Sequence, residues 1–194
     1  MSAPGQHTDD IHDSLRFAEL GDGIAVIQVH GRGSLANSVT FQKLAEHLAE
    51  KYGPGKYSFI VDLENCETMD STFLGALASV ALRQLRECRQ PLAIVHANEH
   101  TRRLLDTLGL SNFVKIGAPQ ADDAGAVPEG AQFQEAEVLD VPRIERIVHM
   151  IQAHERLCEV DSENEARFQN VLKYLKESLD REREASQHKN DTQS

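Results

Sequence analysis

Residues 62–85 read DLENCETMDSTFLGALASVALRQL, and the change of rhythm inside this stretch decides the fold. Just upstream, Tyr57 to Leu63 (YSFIVDL) form an apolar run too short for a helix and suited to a strand covered on both faces. A polar loop follows, and then Phe73, Leu74, Ala76, Leu77, Val80, Ala81 and Leu82 surround the first turns of a helix that the spacing places from about Thr72 to Arg89. One side of that helix is expected in the core, with the other exposed and apolar as a docking surface, the alternative being that the sheet edge or the carboxyl-terminal helices cover it, and Gly75 allows a close backbone approach. Ser71 stands where loop turns into helix, so its hydroxyl is expected to cap the N–H groups of the first turn, where the helix dipole favours negative charge. Phosphorylation there would add about -1.5 to -2 charges beside Asp70, enough to expel a partner packed over it.

Working outward, Leu15 and Phe17 precede Gly21-Asp22-Gly23, a turn signal, and Ile24 to Val29 form a β-branched run, so a hairpin is expected. Phe41, Leu44, Ala45 and Leu48 mark one buried helical face that Gly53-Pro54-Gly55 ends. Beyond the central helix come a strand at Pro91 to His96, a helix from about Glu99 to Leu108 stopped by Gly109 with Leu110 as its hydrophobic contact, and a last strand at Phe113 to Ile116. The order β-hairpin, α, β, α, β, α, β implies an α/β fold: a mostly parallel sheet with right-handed crossovers and an antiparallel edge hairpin. In open sheets of this kind function gathers in the loops leaving the carboxyl ends of the strands, here Gly31 to Asn37, Glu64 to Ser71, and Ala97 to Glu99.

The stretch Asp62-Leu63 followed by Met69-Asp70-Ser71-Thr72-Phe73-Leu74-Gly75 resembles the signature of STAS domains, the sulphate-transporter and anti-sigma-factor-antagonist fold. The segment TRRLLDTLGLSNFVKI, residues 101–116, is similar to that family's third helix and last strand, and the resemblance spans residues 14–117. It implies a STAS-like sheet and a non-enzymatic, cytoplasmic protein that switches partners. Unphosphorylated, such a protein binds an anti-sigma-factor-like serine kinase, and phosphate on the residue matching Ser71 releases it. Asp70, Thr72, Phe73, Leu74, Arg32 and Ser34 then become the expected partner contacts. Two positions depart from the family pattern: Phe73 replaces its glycine, and Gly31-Arg32-Gly33-Ser34 replaces the acidic Gly-Glu-Leu-Asp of antagonist members. The alternatives are an adaptor docked on a transporter ATPase, with Phe73 as anchor, and a scaffold that dimerises through its carboxyl-terminal helices.

Other motifs carry less. Gly31 to Ala36 also fits GxGxxA, but the acid ending the next strand, Asp62, lies 26 positions after Ala36 rather than the roughly 20 of a dinucleotide site. His154 and Cys158, with His149 nearby, have two-ligand spacing without a convincing third and fourth, so neither a metal nor a cofactor is expected. His96 and His100 read as ordinary surface histidines, and Cys66 has no adjacent base to make it reactive. No nucleophile elbow, catalytic carboxylate pair or lysine-bearing phosphate loop suggests an enzyme. The chain has 194 residues and a formal charge of -11 with no basic run, which argues against nucleic acid and anionic lipid. Its apolar stretches fall short of the roughly 18 residues that suggest a membrane span, and three widely spaced cysteines fit a reducing compartment.

Residues 118–137 contain five acids and no base among Ala, Gly and Pro, and read as a linker; residues 1–12 and 186–194 are polar enough to be disordered. Within the helical extension at 138–185, Val141, Ile144, Val148 and Ile151 form one apolar seam, and Phe168, Leu172, Leu175 and Leu179 a second. The register shifts between Glu159 and Arg167, and Ser162 with Glu165 has the pattern of a capping box, which favours two helices in a hairpin over one long helix. Seams this apolar must bury themselves against the core, a second copy in a coiled-coil dimer, or a partner.

Overall fold

The computed structural model describes residues 13–117, 127, 128 and 130–191, with side chains through residue 187. Strands β1 (Ser14–Gly21) and β2 (Ile24–Gly33) form the expected hairpin, followed by α1 (Leu35–Tyr52), β3 (Ser58–Asp62), β4 (Cys66–Met69), α2 (Ser71–Cys88), β5 (Leu92–Val95), α3 (Glu99–Thr107) and β6 (Val114–Ile116). Then come β7 (Gln134–Glu135), α4 (Arg143–Val160) and α5 (Glu163–Asp191). The sheet runs β6-β5-β3-β2-β1-β7, and β4 pairs with β2 off this path. The pairs β2–β3, β3–β5 and β5–β6 are parallel, whereas β1 is antiparallel to both its neighbours.

Alternation along the central strands divides the apolar residues between two faces, as the period of a strand requires. Ala25, Ile27, Val29, Phe59 and Val61 join Phe41, Leu48, Phe73 and Leu77 of the helices in the main core. Val26, Ile60 and Val95 form a thinner cluster, against which Leu20, Val127 and Phe133 pack. A polar side chain serves the core as well: Gln84 of α2 is fully buried, accepting the Phe59 N–H at 2.8 Å and donating to the Pro91 carbonyl at 3.1 Å. Gly109 has a φ of +75°, and Leu110 beyond it is buried, so the stop of α3 is the left-handed one expected.

Four expectations need correction. Strand β4 lies inside the loop expected at Glu64 to Ser71, pairing in parallel with Gly31–Gly33 of β2. Its four residues, CETM, carry no local signal that would separate a strand from a loop. Secondly, the segment read as a linker contributes β7, with Arg16 opposite Glu135 and Phe17 opposite Gln134, and Ala136 N–H donating to the Leu15 carbonyl at 2.8 Å. Backbone pairing orders it where composition could not. The rest of that call, at residues 118–126 and 129, lies outside the described residues, as do residues 1–12 and 192–194. Thirdly, helix α5 continues to Asp191, past the expected fraying at 186.

The fourth concerns what covers α2. The carboxyl-terminal segment forms two helices that break at Asp161, whose carboxylate accepts the Glu163 N–H at 2.9 Å. Ile147 and Ile151 of α4 pack on Leu175 and Leu179 of α5. The other side of α4 lies on α2, with Leu157 and, from α5, Phe168 entering the main core. The second side of α2, expected to be exposed, is therefore occupied by the chain itself: Thr72, Phe73, Leu74, Leu77 and Val80 are all buried.

Candidate functional site

The carboxyl end of β2 and the short strand β4 bring the amino ends of α1 and α2 together. Asp70, between β4 and α2, donates its own N–H to the Gly33 carbonyl at 2.8 Å, which fixes its position. One carboxylate oxygen of Asp70 accepts the Phe73 N–H at 2.8 Å and the other accepts the Leu35 N–H at 2.9 Å, so a single anion caps two helices. Asp70 is thus the N-cap of α2, and the expectation that Ser71 caps it is corrected: Ser71 is the first helical residue. That frees the Ser71 hydroxyl, which bonds His154 Nε2 on α4 at 3.0 Å.

The tautomer of His154 follows from its other nitrogen. Nδ1 lies 2.7 Å from the Met150 carbonyl, which can only accept, so Nδ1 carries a proton. In the neutral ring Nε2 then offers a lone pair, and Ser71 donates to it. The imidazole is buried, with its ring packed against Phe168 at 4.9 Å and 71°. Ser71 itself is half-buried, beside the exposed Asp70.

A second serine–histidine bond lies deeper in the same interface. Ser38 of α1 donates to the Leu35 carbonyl at 3.2 Å, and His149 Nε2 lies 2.9 Å from the same hydroxyl, to which it donates. Burial pushes the His149 imidazole below its ordinary pKa and Lys43 adds to this, while Glu46 and Asp70 oppose it.

The expected partner contacts separate into two groups. Arg32 and Asp70 are exposed and Ser34 is half-buried, forming a rim with Ser71. Thr72, Phe73 and Leu74 sit beneath it; Phe73 is fully buried, its ring 5.0 Å from that of Phe41. The glycines of the GxGxxA stretch have structural causes: a Cβ on Gly33 would stand 2.8 Å from the Phe73 ring, and Gly31 has a φ of +66°. The Asp13 carboxylate accepts the Arg32 N–H at 2.9 Å, placing negative charge where a dinucleotide's phosphates would need donors.

Among the described residues, one trio could gather around a cation: Asp62, Glu64 and His96 at the ends of β3 and β5. Asp62 is buried and its oxygens are already engaged, accepting from Gln28 Nε2 at 3.0 Å and the Glu64 N–H at 3.1 Å, with His96 Nδ1 at 2.8 Å. This arrangement explains the strand-end aspartate without an ion. His100 bonds the Thr68 hydroxyl at 3.0 Å, whereas His149 and His154 are held by serines rather than grouped with Cys158. Burial raises the Cys66 thiol to about 11 and also raises Cys158, so neither is a thiolate at neutral pH. Sequence reasoning missed the roles of His149, His154 and Ser38. The one signal available was that both histidines fall on α4 beside residues of its apolar seam.

Comparison with known proteins bears on the domain as a whole. No curated protein matches the chain. Among solved structures, a putative anti-sigma factor antagonist from Thermotoga maritima is 22% identical, covers 51% of this chain and 82% of its own, and has a TM-score of 0.45. An anti-sigma factor antagonist from Mycobacterium paratuberculosis is 24% identical, with coverages of 64% and 95% and a TM-score of 0.45. The Bacillus cell fate determinant SpoIIAA in its phosphorylated form is 14% identical, with coverages of 54% and 92% and a TM-score of 0.44. The family model described as "Mlab, STAS domain" matches residues 18–116, the run from β1 through β6 that places Asp70 and Ser71 at the head of α2. With that match extending over half of the chain, the protein belongs to the STAS domain family.

Proposed function

We propose that the protein is a cytoplasmic, non-enzymatic regulatory binding protein that switches partners through phosphorylation of Ser71. The observation that carries this reading is the Ser71 hydroxyl: relieved of capping by Asp70, half-buried at the first turn of α2, and held by His154. A phosphoryl group there would bring about -1.5 to -2 charges next to the Asp70 carboxylate and would disrupt the bond to His154. The partner, an anti-sigma-factor-like serine kinase, would read the rim of Arg32, Ser34, Asp70 and Ser71. Thr72, Phe73 and Leu74 support that rim from below. A scaffold assembled through the carboxyl-terminal helices is a weaker reading, because their apolar seams are packed against each other and against α2.

The test is quantitative capture from native lysate with wild-type protein, Ser71→Ala and Ser71→Asp. The switch predicts that Ser71→Ala retains the wild-type partner while Ser71→Asp loses most of it. Equal recovery by the two variants would sink the reading.

A further inference from the structure

We infer that the α4–α5 hairpin is a built-in latch, in which α4 occupies the face of α2 beside Ser71 and swings out with α5 as one unit to admit a partner. The inference rests on the reading of Ser71 as a partner-controlled site and adds the element that regulates access to it.

The surface under α4 is specific for a helix. A Cβ built on Gly75 would stand 2.3 Å from the Ala153 carbonyl oxygen, so α2 and α4 touch through their backbones, which only glycine on one side and a small residue on the other permit. The next residue of α4, His154, reaches Ser71, and one turn further Leu157 is fully buried in the main core. One turn before Ala153, His149 reaches Ser38 on α1. The pattern Ala153-His154-x-x-Leu157 thus occupies the side of α2 that a docking partner would need, and it engages the hydroxyl that a kinase would need.

The hairpin has contacts of its own that hold α4 to α5. Ile147, Ile151, Leu175 and Leu179 form an apolar cluster wholly inside it, joined by partly buried Ile144, Val148 and Leu172. Two ion pairs, Arg143–Glu182 at 2.9 Å and Lys176–Glu155 at 2.7 Å, also run between α4 and α5. Upstream, the chain is tied to the STAS domain by β7, by Ala136 N–H to Leu15 and by Leu139 N–H to Thr40 Oγ1 at 3.0 Å. Asp140 to Pro142 therefore separate two anchored bodies and are the hinge. At the far end, Asn164 Nδ2 donates to the Leu108 carbonyl at 3.1 Å and Arg167 to the Thr107 carbonyl at 2.8 Å, beside Phe168, which with Leu157 is seated in the main core and must leave it when the hairpin swings out.

Hydrogen exchange of the full chain, followed by mass spectrometry, tests this. The latch predicts that amides at the middle of α4 (147–156) and of α5 (168–179) exchange at least about tenfold faster than those of β2 and β3, because a hairpin released from α2 is a marginal helix pair whose own hydrogen bonds open while the strands stay closed. Gly75→Ala, which drives a methyl into the Ala153 carbonyl, and His154→Ala should each speed the hairpin further while the strands stay protected. A single common rate for hairpin and strands, in wild type and in His154→Ala alike, would overturn the latch; should Gly75→Ala fail to fold, those two proteins decide. The two readings fail separately. Fast hairpin exchange with equal capture by Ser71→Ala and Ser71→Asp removes the switch, and uniform exchange with capture lost only in Ser71→Asp removes the latch.

Discussion

Asp70 links helix chemistry to the candidate site more directly than any other residue. Its carboxylate serves the first turns of α1 and α2 at once, and by doing so leaves the neighbouring hydroxyl available to His154. Asp70→Ala should therefore cost about 1–2 kcal/mol, the upper range for a lost N-cap, measured as a lower urea midpoint with an unchanged slope. His149 gives a pH signature. Its folded pKa lies below the ordinary imidazole value, so below about pH 6.5 the unfolded chain binds the extra proton and stability falls as the medium is acidified through that window. Above both values the contribution is flat. Urea titrations from pH 7.5 to 5 should show this loss, and His149→Gln should reduce it; an unchanged pH slope in that variant would reject the assignment. At this scale the sequence was informative about which residues stand at the head of α2 and silent about their roles. Asp and Ser are both good caps, and what chose between them is the reach of Asp70 to Leu35, 35 positions away, while the partner of Ser71 lies 83 positions on.

Helix α2 is apolar almost all round because it has protein on both sides, the sheet and α1 on one and α4 on the other. That composition was readable in residues 72–82, and so were the two apolar seams of the extension and the break between them. What could not be read was the connection between the two: an apolar face wanting cover and an apolar helix wanting burial look alike whether they meet in one chain or across two. The occupant became visible only at Gly75, whose missing side chain is filled by the backbone of Ala153. Leu157 closes that contact and is fully buried, so Leu157→Ala should cost about 2–5 kcal/mol by transfer and cavity formation. Val171→Ala, on the 40%-exposed outer side of α5, should stay within about 0.5 kcal/mol. Thermal unfolding of the two variants side by side checks the contrast, and equal effects would mean that α4 is not seated on α2 as described.

In the whole molecule, a mostly parallel sheet with an antiparallel edge sets the rim of Arg32, Ser34, Asp70 and Ser71 at the carboxyl end of its strands, and a helical hairpin packs on α2 beside that rim. The mostly parallel sheet with its antiparallel hairpin was legible because βα alternation leaves few topologies open. The two short strands were not: β4 and β7 owe their existence to backbone partners in β2 and β1 rather than to any pattern of their own. The molecule carries a formal charge of -11, and among the described residues no helix is long and apolar enough to cross a membrane. The central claim is that Ser71 is the residue on which control is exercised, and phosphosite mapping of the protein recovered from its native cells tests it most directly. The account predicts a peptide carrying one phosphoryl group on Ser71, lost in Ser71→Ala. Phosphate located only on other residues, with Ser71 always unmodified, would contradict it.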